Sequence, residues 1–256
     1  MHFRQVRIAA VAHALPEERV TSLDLERELA PLYERFRLRE GRLELMSGIR
    51  ERRFFARGTT PSQAAARAGE RALELSGVSR DRIGCLIHGA VSRDFLEPAT
   101  ATVVHRLLDL PDACTVFDLS NACLGVLNGM VLVPGMIERG DIDAGIVVSG
   151  EDGRGLVEET VKDLLASETL DKKSFKQAFA SLTIGSGAAA VVLERADDRP
   201  GRRLVGGSIL SATEHNVLCQ GDKTDGSGGP LMNTDSEALL QAGNALAARN
   251  FEAFLV

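Results

Sequence analysis

Tryptophan is absent from this 256-residue chain, and tyrosine occurs only once. Without aromatic side chains to stack on bases, and with a net charge of −6, the protein lacks two features on which nucleic-acid-binding surfaces depend. The four cysteines, Cys85, Cys114, Cys123 and Cys219, form no CxxC pair. Their spacing indicates neither a zinc site nor a disulfide framework, so we expect reduced thiols in a cytoplasmic protein.

The sequence also shows no obvious targeting or anchoring segment. The N-terminal stretch MHFRQVRIAAVAHALPEE is interrupted by Arg7, which is typical of a strand rather than of a signal peptide. No apolar run reaches the length that a membrane-spanning helix requires, so the sequence predicts no transmembrane segment.

Hydrophobic residues make up 44% of the chain, enough for a substantial core in one large domain or in two of ordinary size. Apolar segments of strand and helix length alternate, which predicts an α/β fold. The predicted strands are Val6–Ala14, Ile83–Val91, Cys114–Leu119, Asp143–Ser149, Ala188–Leu193 and Leu204–Ser211. The predicted helices are Ser22–Phe36, Pro61–Ser76, Ala99–Leu108, Cys123–Arg139, Gly155–Ala166 and Ser236–Phe254. Pro134 predicts a kink or an early end in the fourth of these helices, near Val133.

Cys123 lies in the sequence Asn121-Ala-Cys-Leu-Gly125, where an apolar strand gives way to an apolar helix. At a helix N-terminus, free N–H groups and the helix dipole favour negative charge, so this position favours a nucleophilic thiolate. An unpaired cysteine between alanine and leucine is more often buried core filler, and from these residues alone that alternative stays open.

Two Ala-rich helices share a pattern that predicts an internal duplication. Ser62-Gln-Ala64 with Ala68-Gly69 matches Ser236-Glu-Ala238 with Ala242-Gly243, and each helix follows a predicted strand. The first half would span residues 1–200 and the second would begin at 201–256, with the turn-rich segment 197–201 between them. The strand equivalent to 83–91 would begin near residue 257, so we expect a fragment of a longer polypeptide or one half of a split protein.

Four segments resemble the thiolase superfamily, and within it the enzymes of the 3-oxoacyl-[acyl-carrier-protein] synthase III type. They are Gly48–Arg53, Asp118–Gly125, Gly185–Leu193 and the helix that follows Asn233. The resemblance implies a layered αβαβα α/β fold of two similar halves, the first complete here and the second truncated. It also implies a homodimer, acyl-CoA or acyl-carrier-protein thioesters as substrates, and no cofactor or metal.

Two further segments, Ser92–Ala101 and Ser211–Cys219, resemble one branch of that family, the acyl-CoA condensing enzymes of bacterial long-chain olefin biosynthesis. This resemblance implies that Cys123 accepts an acyl group as a thioester. It also implies that Glu97 reaches from one subunit into its partner's active site and serves as the base. The reaction would be a Claisen condensation without decarboxylation, giving a β-keto acyl product.

The chemistry of such a condensation agrees with a carboxylate base. A proton must leave the carbon next to a thioester, and a carboxylate in an apolar tunnel is a stronger base than one in water. The local sequence around Glu97 is weaker evidence. Without the family resemblance, a solvated loop carboxylate or a charge at a helix start ahead of Pro98 would be the better interpretation.

The chain departs from the family pattern in two respects. The family's catalytic His and Asn belong to the second half, beyond Val256, and His215 matches no catalytic position. Synthases of the III type carry an aromatic residue and an arginine for the CoA nucleotide at two places where this chain has Arg42 and Met46, so no CoA contacts are predicted.

Two alternatives to an acyl-CoA condensing enzyme stay open at this point. One is a decarboxylating 3-oxoacyl-[acyl-carrier-protein] synthase III, in which loss of CO₂ from a malonyl extender generates the carbanion and no base is needed. The other is a truncated, noncatalytic subunit that shapes or regulates a complete thiolase-fold partner.

Overall fold

The computed structural model describes residues 1–197, 201–221 and 231–255. The chain divides into two units, each assembled from several parts of the sequence. Unit 1 comprises Met1–Pro16, Phe55–Asp152 and Ser186–Gly207, and unit 2 comprises Glu17–Phe54, Gly153–Gly185 and Ser208–Val256. The predicted division into a first half, residues 1–200, and the beginning of a second half, residues 201–256, describes an internal duplication rather than compact units, and it stays a prediction. The middle of the predicted joint, 198–200, lies outside the described residues.

The described residues form strands and helices in the following order. The strands are β1 (Val6–Ala14), β2 (Glu18–Thr21), β3 (Glu51–Phe54), β4 (Ile83–Gly89), β5 (Thr115–Leu119), β6 (Ala144–Glu151), β7 (Gly187–Arg195), β8 (Arg202–Arg203), β9 (Cys219–Gly221) and β10 (Met232–Thr234). The helices are α1 (Ser22–Glu28), α2 (Ala30–Phe36), α3 (Arg42–Ser47), α4 (Pro61–Ser76), α5 (Thr100–Leu107), α6 (Gly125–Arg139), α7 (Arg154–Ala166), α8 (Lys172–Gln177), α9 (Phe179–Leu182) and α10 (Ser236–Leu255).

Unit 1 is built around a six-stranded mixed sheet in the order β5-β4-β6-β7-β1-β8. Strand β4 runs parallel to β5 and to β6, and the remaining pairs are antiparallel. In the β4–β5 pair, His88 lies opposite Asp118 and Gly89 lies opposite Leu119. Because the two strands are parallel, the loops that follow them leave the sheet at the same edge.

Helices cover both faces of this sheet. Helices α4 and α5 pack on one face, where Ala68, Val104 and Ile146 are fully buried. Helix α6 packs on the other face, where Val133 and Ile137 contact the sheet residues around Val147. Side chains alternate between the faces along each strand, so one sheet supplies two cores. Unit 1 is therefore a three-layer α–β–α arrangement.

Helix α4 begins and ends at local sequence signals. The Thr60 hydroxyl oxygen accepts a hydrogen bond from the backbone N–H of Gln63, and the Gln63 Oε1 accepts one from the Thr60 N–H, which is a capping box. Pro61 occupies the first turn, where its missing N–H costs nothing, and Gly77 ends the helix with φ +64°. These signals are local, so the predicted bounds Pro61–Ser76 are confirmed.

The closest packing of α6 on the sheet is a contact between two glycine backbones. A Cβ on Gly125, the first residue of α6, would lie 2.7 Å from the carbonyl carbon of Gly89 at the end of β4. A Cβ on Gly89 would lie 2.5 Å from the carbonyl carbon of Gly125. Real Cβ atoms do not approach backbone this closely, so this start of the helix can rest on the strand end only if both residues are glycine.

Two sequence predictions about helices are wrong in detail. The predicted helix Ser22–Phe36 is two helices, because Pro31 cannot donate the backbone hydrogen bond that would join α1 to α2 at Leu29. Of the kink or early end predicted near Val133, the early end is wrong: α6 continues through Pro134 to Arg139, since Val133 and Ile137 on either side of the proline are anchored in the core. Apart from the strand predicted at Leu204–Ser211, the bounds of the other predicted elements are confirmed to within a few residues.

The predicted strand Leu204–Ser211 is also wrong. The strand β8 comprises Arg202–Arg203, which pair with β1. Single hydrogen bonds continue from the Leu204 N–H to the Val6 carbonyl and from the Phe3 N–H to the Val205 carbonyl, and Gly206 bridges His2, but no strand extends to Ser211. The segment that follows contains Gly206, Gly207 and Ser208, which have low strand propensity and few side-chain atoms to pack on a sheet. One of the two observations behind the predicted duplication is therefore lost.

The prediction that no segment is long enough to span a membrane also needs correction. The segment Ala122–Arg139 is long and apolar enough, by length and composition alone, to cross a membrane. The core helix of a water-soluble protein can meet the same criterion, and one face of α6 is packed on the sheet of unit 1.

Unit 2 has a core of its own, which comes from α1–α3 and α7–α9 and includes Phe36, Phe175 and Phe179. The carboxylate of Glu26 is buried in this unit and accepts hydrogen bonds from the Tyr33 hydroxyl at 2.9 Å and from the Leu43 N–H at 2.6 Å. Burial and this carboxylate raise the pKa of Tyr33 above its ordinary value. Glu26 thereby holds the start of α3 against α1 and α2.

The glycine contact predicts the effect of adding one methyl group to α6. Gly125→Ala should lower the free energy of unfolding by about 1–3 kcal/mol, because the new Cβ meets the Gly89 backbone, which cannot rotate away. Urea denaturation followed by circular dichroism measures this. Gly135→Ala in the same helix is the control: the nearest atom to its Cβ is the Arg139 Nη1 at 3.5 Å, an ordinary contact. Equal effects of the two substitutions would contradict the interpretation.

Candidate active site

Cys123 lies on a tight turn between β5 and α6. The strand ends at Leu119, residues Ala122–Leu124 form one 3₁₀ turn, and α6 begins at Gly125. The Cys123 side chain is exposed, which excludes the alternative of a buried core cysteine. The strand-to-helix position predicted from the sequence is thus confirmed, with a short 3₁₀ turn before the helix proper.

The backbone just before Cys123 is strained. Ala122 has φ +43°, in the left-handed region that costs an ordinary L-residue roughly 1–2 kcal/mol. The Asn121 amide donates a hydrogen bond to the Asn128 Oδ1, and the Leu124 N–H donates to the Asn121 carbonyl at 3.0 Å. These bonds and the Gly125 contact with β4 hold the turn in a conformation that carries Cys123 outward.

The N-terminus of α6 is open to a negative charge. Within the described residues, no side chain caps this helix, whose N-cap position is Leu124. The first N–H groups of a helix have no partner inside the helix, and they favour negative charge. The turn therefore places Cys123 beside donors that can stabilise a thiolate or the oxygen of a thioester under attack.

The other three thiols have different surroundings. Cys85 and Cys114 are buried, and burial raises the pKa of the first to about 12 and of the second to about 11. Cys219 is exposed and begins β9, so it does not lie at a helix N-terminus, and its Sγ lies 3.4 Å from the Thr234 hydroxyl. Cys123 is therefore the one thiol that combines exposure with a helix N-terminus among the four.

Glu97 lies on the loop 90–99, which joins β4 to α5. Its side chain is exposed, and so are its neighbours Phe95 and Leu96, the latter 93% accessible. The peptide bond between Glu97 and Pro98 is cis. Among the described residues, no hydrogen bond or ion pair holds the Glu97 carboxylate. The described residues of this chain do not form the apolar tunnel expected around this carboxylate.

The structure brings the two predicted site residues to one edge of the sheet without joining them. Glu97 follows β4 and Cys123 follows β5, and these strands are parallel neighbours. The carboxyl edge of parallel strands is where sites commonly lie in α/β folds. No direct bond between Glu97 and Cys123 is present in the described part of the chain, so any joint action of the two requires a substrate between them or a second subunit.

Sequence reasoning missed the polar residues that hold this edge together. His88 and Asp118 face each other across the β4–β5 pair, with 3.6 Å between the His88 Nδ1 and the Asp118 Oδ1. Asp118 also accepts hydrogen bonds from the N–H groups of Thr100 and Ala101, at 2.9 and 2.8 Å. A signal was present, since each is a charged or titratable residue inside an otherwise apolar strand.

Burial is the main influence on His88. The side chain is 1% exposed, and this lowers its pKa, although the neighbouring carboxylate of Asp118 acts in the opposite direction. The Nε2 atom of His88 has no hydrogen-bond partner within the described residues. We infer a neutral imidazole near pH 7, so the Asp118 oxygens remain available to the N–H groups of α5.

A separate cavity of about 490 Å³ lies in unit 2. Its lining includes Asp163, Gln177, Gln220 and Asn233. Neither Cys123 nor Glu97 lines it. The cavity therefore does not take part in the chemistry argued from these two residues.

Residues 117–212 match the family model of 3-oxoacyl-[acyl-carrier-protein (ACP)] synthase III. An acyl-CoA:acyl-CoA alkyltransferase of Xanthomonas campestris pv. campestris is 38% identical over 256 residues, which cover 99% of this chain and 73% of the relative. A protein of the same name from Shewanella oneidensis is 37% identical over 262 residues, covering 100% of this chain and 74% of the relative. A beta-ketoacyl-[acyl-carrier-protein] synthase III of Symbiobacterium thermophilum is 36% identical over 151 residues, 59% of this chain and 43% of the relative.

Solved structures agree with these sequence relatives. Cerulenin-bound OleA of Xanthomonas campestris superposes with a TM-score of 0.91 at 38% identity, covering 99% of this chain and 72% of that chain. Other solved forms of the same protein carry a replaced glutamate or a replaced cysteine, and each superposes with the same TM-score. Along the sequence, the two replaced positions of that protein are separated by the same number of residues as Glu97 and Cys123 are here.

The environments of the four thiols predict which one reacts first. Limiting iodoacetamide should alkylate Cys123 ahead of Cys219, because only Cys123 lies at a helix N-terminus, while Cys85 and Cys114 stay protonated and shielded. Mass spectrometry of the digested protein identifies the labelled peptide. Cys219→Ser should leave the rate at Cys123 unchanged. Labelling that begins at Cys219, Cys85 or Cys114 would show that the turn does not activate Cys123.

Proposed function

This chain belongs to the family of the acyl-CoA:acyl-CoA alkyltransferases, with a thiolase-like α/β fold, and on that premise we propose that it is an acyltransferase that condenses two acyl-CoA thioesters. The reaction is a Claisen condensation without decarboxylation. The observation that carries the proposal is the exposed Cys123 on a strained turn at an uncapped helix N-terminus, in a chain related over nearly its whole length to enzymes of that name.

The first step uses Cys123. Its thiolate attacks the carbonyl carbon of one acyl-CoA, the bond between that carbon and the CoA sulfur breaks, and CoA leaves as a thiolate that takes up a proton. The acyl group is then held on Cys123 as a thioester. N–H groups at the start of α6 are placed to stabilise the negative charge that develops in this step.

The second step uses Glu97. Its carboxylate removes a proton from the carbon next to the carbonyl of the second acyl-CoA, and the resulting carbanion attacks the acyl group on Cys123. The Cys123 sulfur leaves, and the product is a β-ketoacyl-CoA. The sequence positions support this role for Glu97. It precedes Cys123 by the same number of residues as the replaced glutamate precedes the replaced cysteine in the Xanthomonas protein.

We further propose a homodimer in which Glu97 acts in the partner's site. Strand β5 is the outer strand of its sheet, so its free edge can pair with the same strand of a second copy around a two-fold axis. The exposed apolar residues Phe95 and Leu96 accompany Glu97 on the adjacent loop. A second subunit would cover them and supply the apolar surroundings that Glu97 lacks within its own chain.

The two alternatives have less support. The match to a beta-ketoacyl-[acyl-carrier-protein] synthase III covers 59% of this chain, whereas the alkyltransferases match 99% and 100% of it. A noncatalytic subunit has no need of an exposed cysteine on a strained turn. We therefore favour the acyl-CoA condensation over both alternatives.

The separate roles of Cys123 and Glu97 can be tested with one substrate. With myristoyl-CoA, Glu97→Gln should still form the acyl adduct on Cys123, while the β-keto product should fall by about 10²–10⁴-fold, because only proton removal is lost. Mass spectrometry measures the adduct and the product. Glu74→Gln, an exposed glutamate on α4, is the matched control. Failure of the unaltered protein to form the acyl adduct on Cys123 would contradict the proposal, and full condensing activity of Glu97→Gln would exclude Glu97 as the base.

The cross-subunit arrangement predicts complementation. Light scattering should give twice the mass of one chain, and mixing Cys123→Ala with Glu97→Gln should restore about a quarter of the activity, since half of the dimers are mixed and each has one complete site. A monomer, or mixed samples as inactive as the separate variants, would contradict a base supplied by the partner.

A further inference from the structure

The loop that carries Glu97 is held at its beginning by a carboxylate from the neighbouring strand. Glu151, the last residue of β6, accepts hydrogen bonds from the N–H groups of Val91 and Ser92, at 2.7 and 3.0 Å. The Ser92 hydroxyl in turn accepts a hydrogen bond from the Asp152 N–H at 3.1 Å. Val91 and Ser92, the second and third residues of the loop 90–99, are therefore tied to the end of β6.

A second carboxylate holds the other end of the loop. Ala99, the N-cap residue of α5, has no side chain that can accept a hydrogen bond from the helix. Asp118, on β5, takes the place of a capping side chain. Its carboxylate accepts hydrogen bonds from the first two N–H groups of α5, at 2.9 and 2.8 Å. Hydrogen bonds to a charged acceptor are about twice as strong as neutral ones, and the helix dipole adds to them.

The middle of the loop has no comparable support. Phe95, Leu96, Glu97 and Pro98 are all exposed. Two further hydrogen bonds precede them: the Asp94 carboxylate accepts from the Ser62 N–H at 2.9 Å, and the Asp94 N–H donates to the Thr100 Oγ1 at 3.1 Å. The position of Glu97 is therefore set by the anchors on either side of it and not by contacts of its own.

Asp118 has a second connection that Glu151 lacks. It lies on β5, the strand that leads directly to the turn of Cys123. One carboxylate thus joins the helix that follows Glu97 to the strand that precedes Cys123. Buried His88, opposite Asp118 on β4, fills the space beside this carboxylate and leaves its two oxygens to α5.

We propose that Asp118 is a positioning residue that sets where Glu97 stands relative to the nucleophile's strand, with Glu151 as the second anchor of the same loop. Asp118 is largely covered and its oxygens are engaged by backbone N–H groups, so it touches no substrate. The proposal rests on the proposed function of Glu97 as the base.

The test separates the two steps of the reaction. Asp118→Asn keeps the size of the side chain but removes the charge and turns an N–H₂ toward the N–H groups of α5. Condensation of myristoyl-CoA should fall about 10- to 100-fold, because a displacement of the base by about 1 Å is enough for such a loss. Acylation of Cys123 should stay within about 3-fold of the unaltered protein, since the turn is held by its own bonds. Retained acylation also shows that the variant is folded.

Three comparisons make the result specific. Glu151→Gln should reproduce the split between acylation and condensation, because it loosens the same loop at its other end. Asp141→Asn removes an exposed carboxylate whose partner is Arg139, and it should change neither step. In a Glu97→Gln background, Asp118→Asn should cause no further loss of condensation, because a residue that acts through Glu97 has nothing left to position.

The outcomes distinguish this proposal from the proposed function. If the unaltered protein condenses acyl-CoA and Asp118→Asn condenses it equally well, the positioning role is wrong and the function stands. Equal losses of acylation and condensation would indicate a general structural role and would also overturn it. A further loss in the Glu97→Gln background would show that Asp118 acts on something other than Glu97.

Discussion

The arrangement of unit 1 depends on the contact between Gly89 and Gly125. These two backbones touch where β4 ends and α6 begins, and neither tolerates a side chain there. The contact fixes the height of the helix start above the sheet. The turn of Ala122–Leu124 then has only a few residues in which to connect β5 to α6, and a left-handed Ala122 is the consequence. Cys123 is exposed at a helix N-terminus because the helix itself lies so close to the strand.

Carboxylates that accept hydrogen bonds from backbone N–H groups organise the backbone in both units. Asp118 and Glu151 accept backbone N–H groups at the two ends of the Glu97 loop, and Glu26 does the same at the start of α3. In each case a charged acceptor from another element satisfies donors that the local sequence leaves unpaired. Such contacts order loops without adding apolar surface, so the loops can still carry exposed residues such as Glu97. The fold keeps a rigid frame around an edge of the sheet that stays open to substrate or to a second subunit.

Most of the elements could be predicted because their signals are local. Strand β1 and helix α4 have the predicted bounds, the first from its apolar composition and the second from Thr60, Pro61 and Gly77. The prediction for Leu204–Ser211 was wrong because Gly206, Gly207 and Ser208 have low strand propensity, so a regular strand does not form there although the N-terminal residues lie beside the start of the segment. Helix Ser22–Phe36 was split by Pro31, a signal that was visible in the sequence but was outweighed by the apolar period around it.

The amino-acid sequence by itself determined the order of the elements, the place of Cys123 between a strand and a helix, and the position of Glu97 in a loop. Only the tertiary structure decided that Cys85 and Cys114 are buried while Cys123 is exposed. It also decided that Asp118 binds the start of α5, since Asp118 and Thr100 are brought together by the position of α5 beside the β4–β5 pair. Periodicity and capping are properties of neighbouring residues and can be read along the chain. Which carboxylate meets which N–H group depends on strand register and helix packing, and these are contacts between residues far apart in sequence.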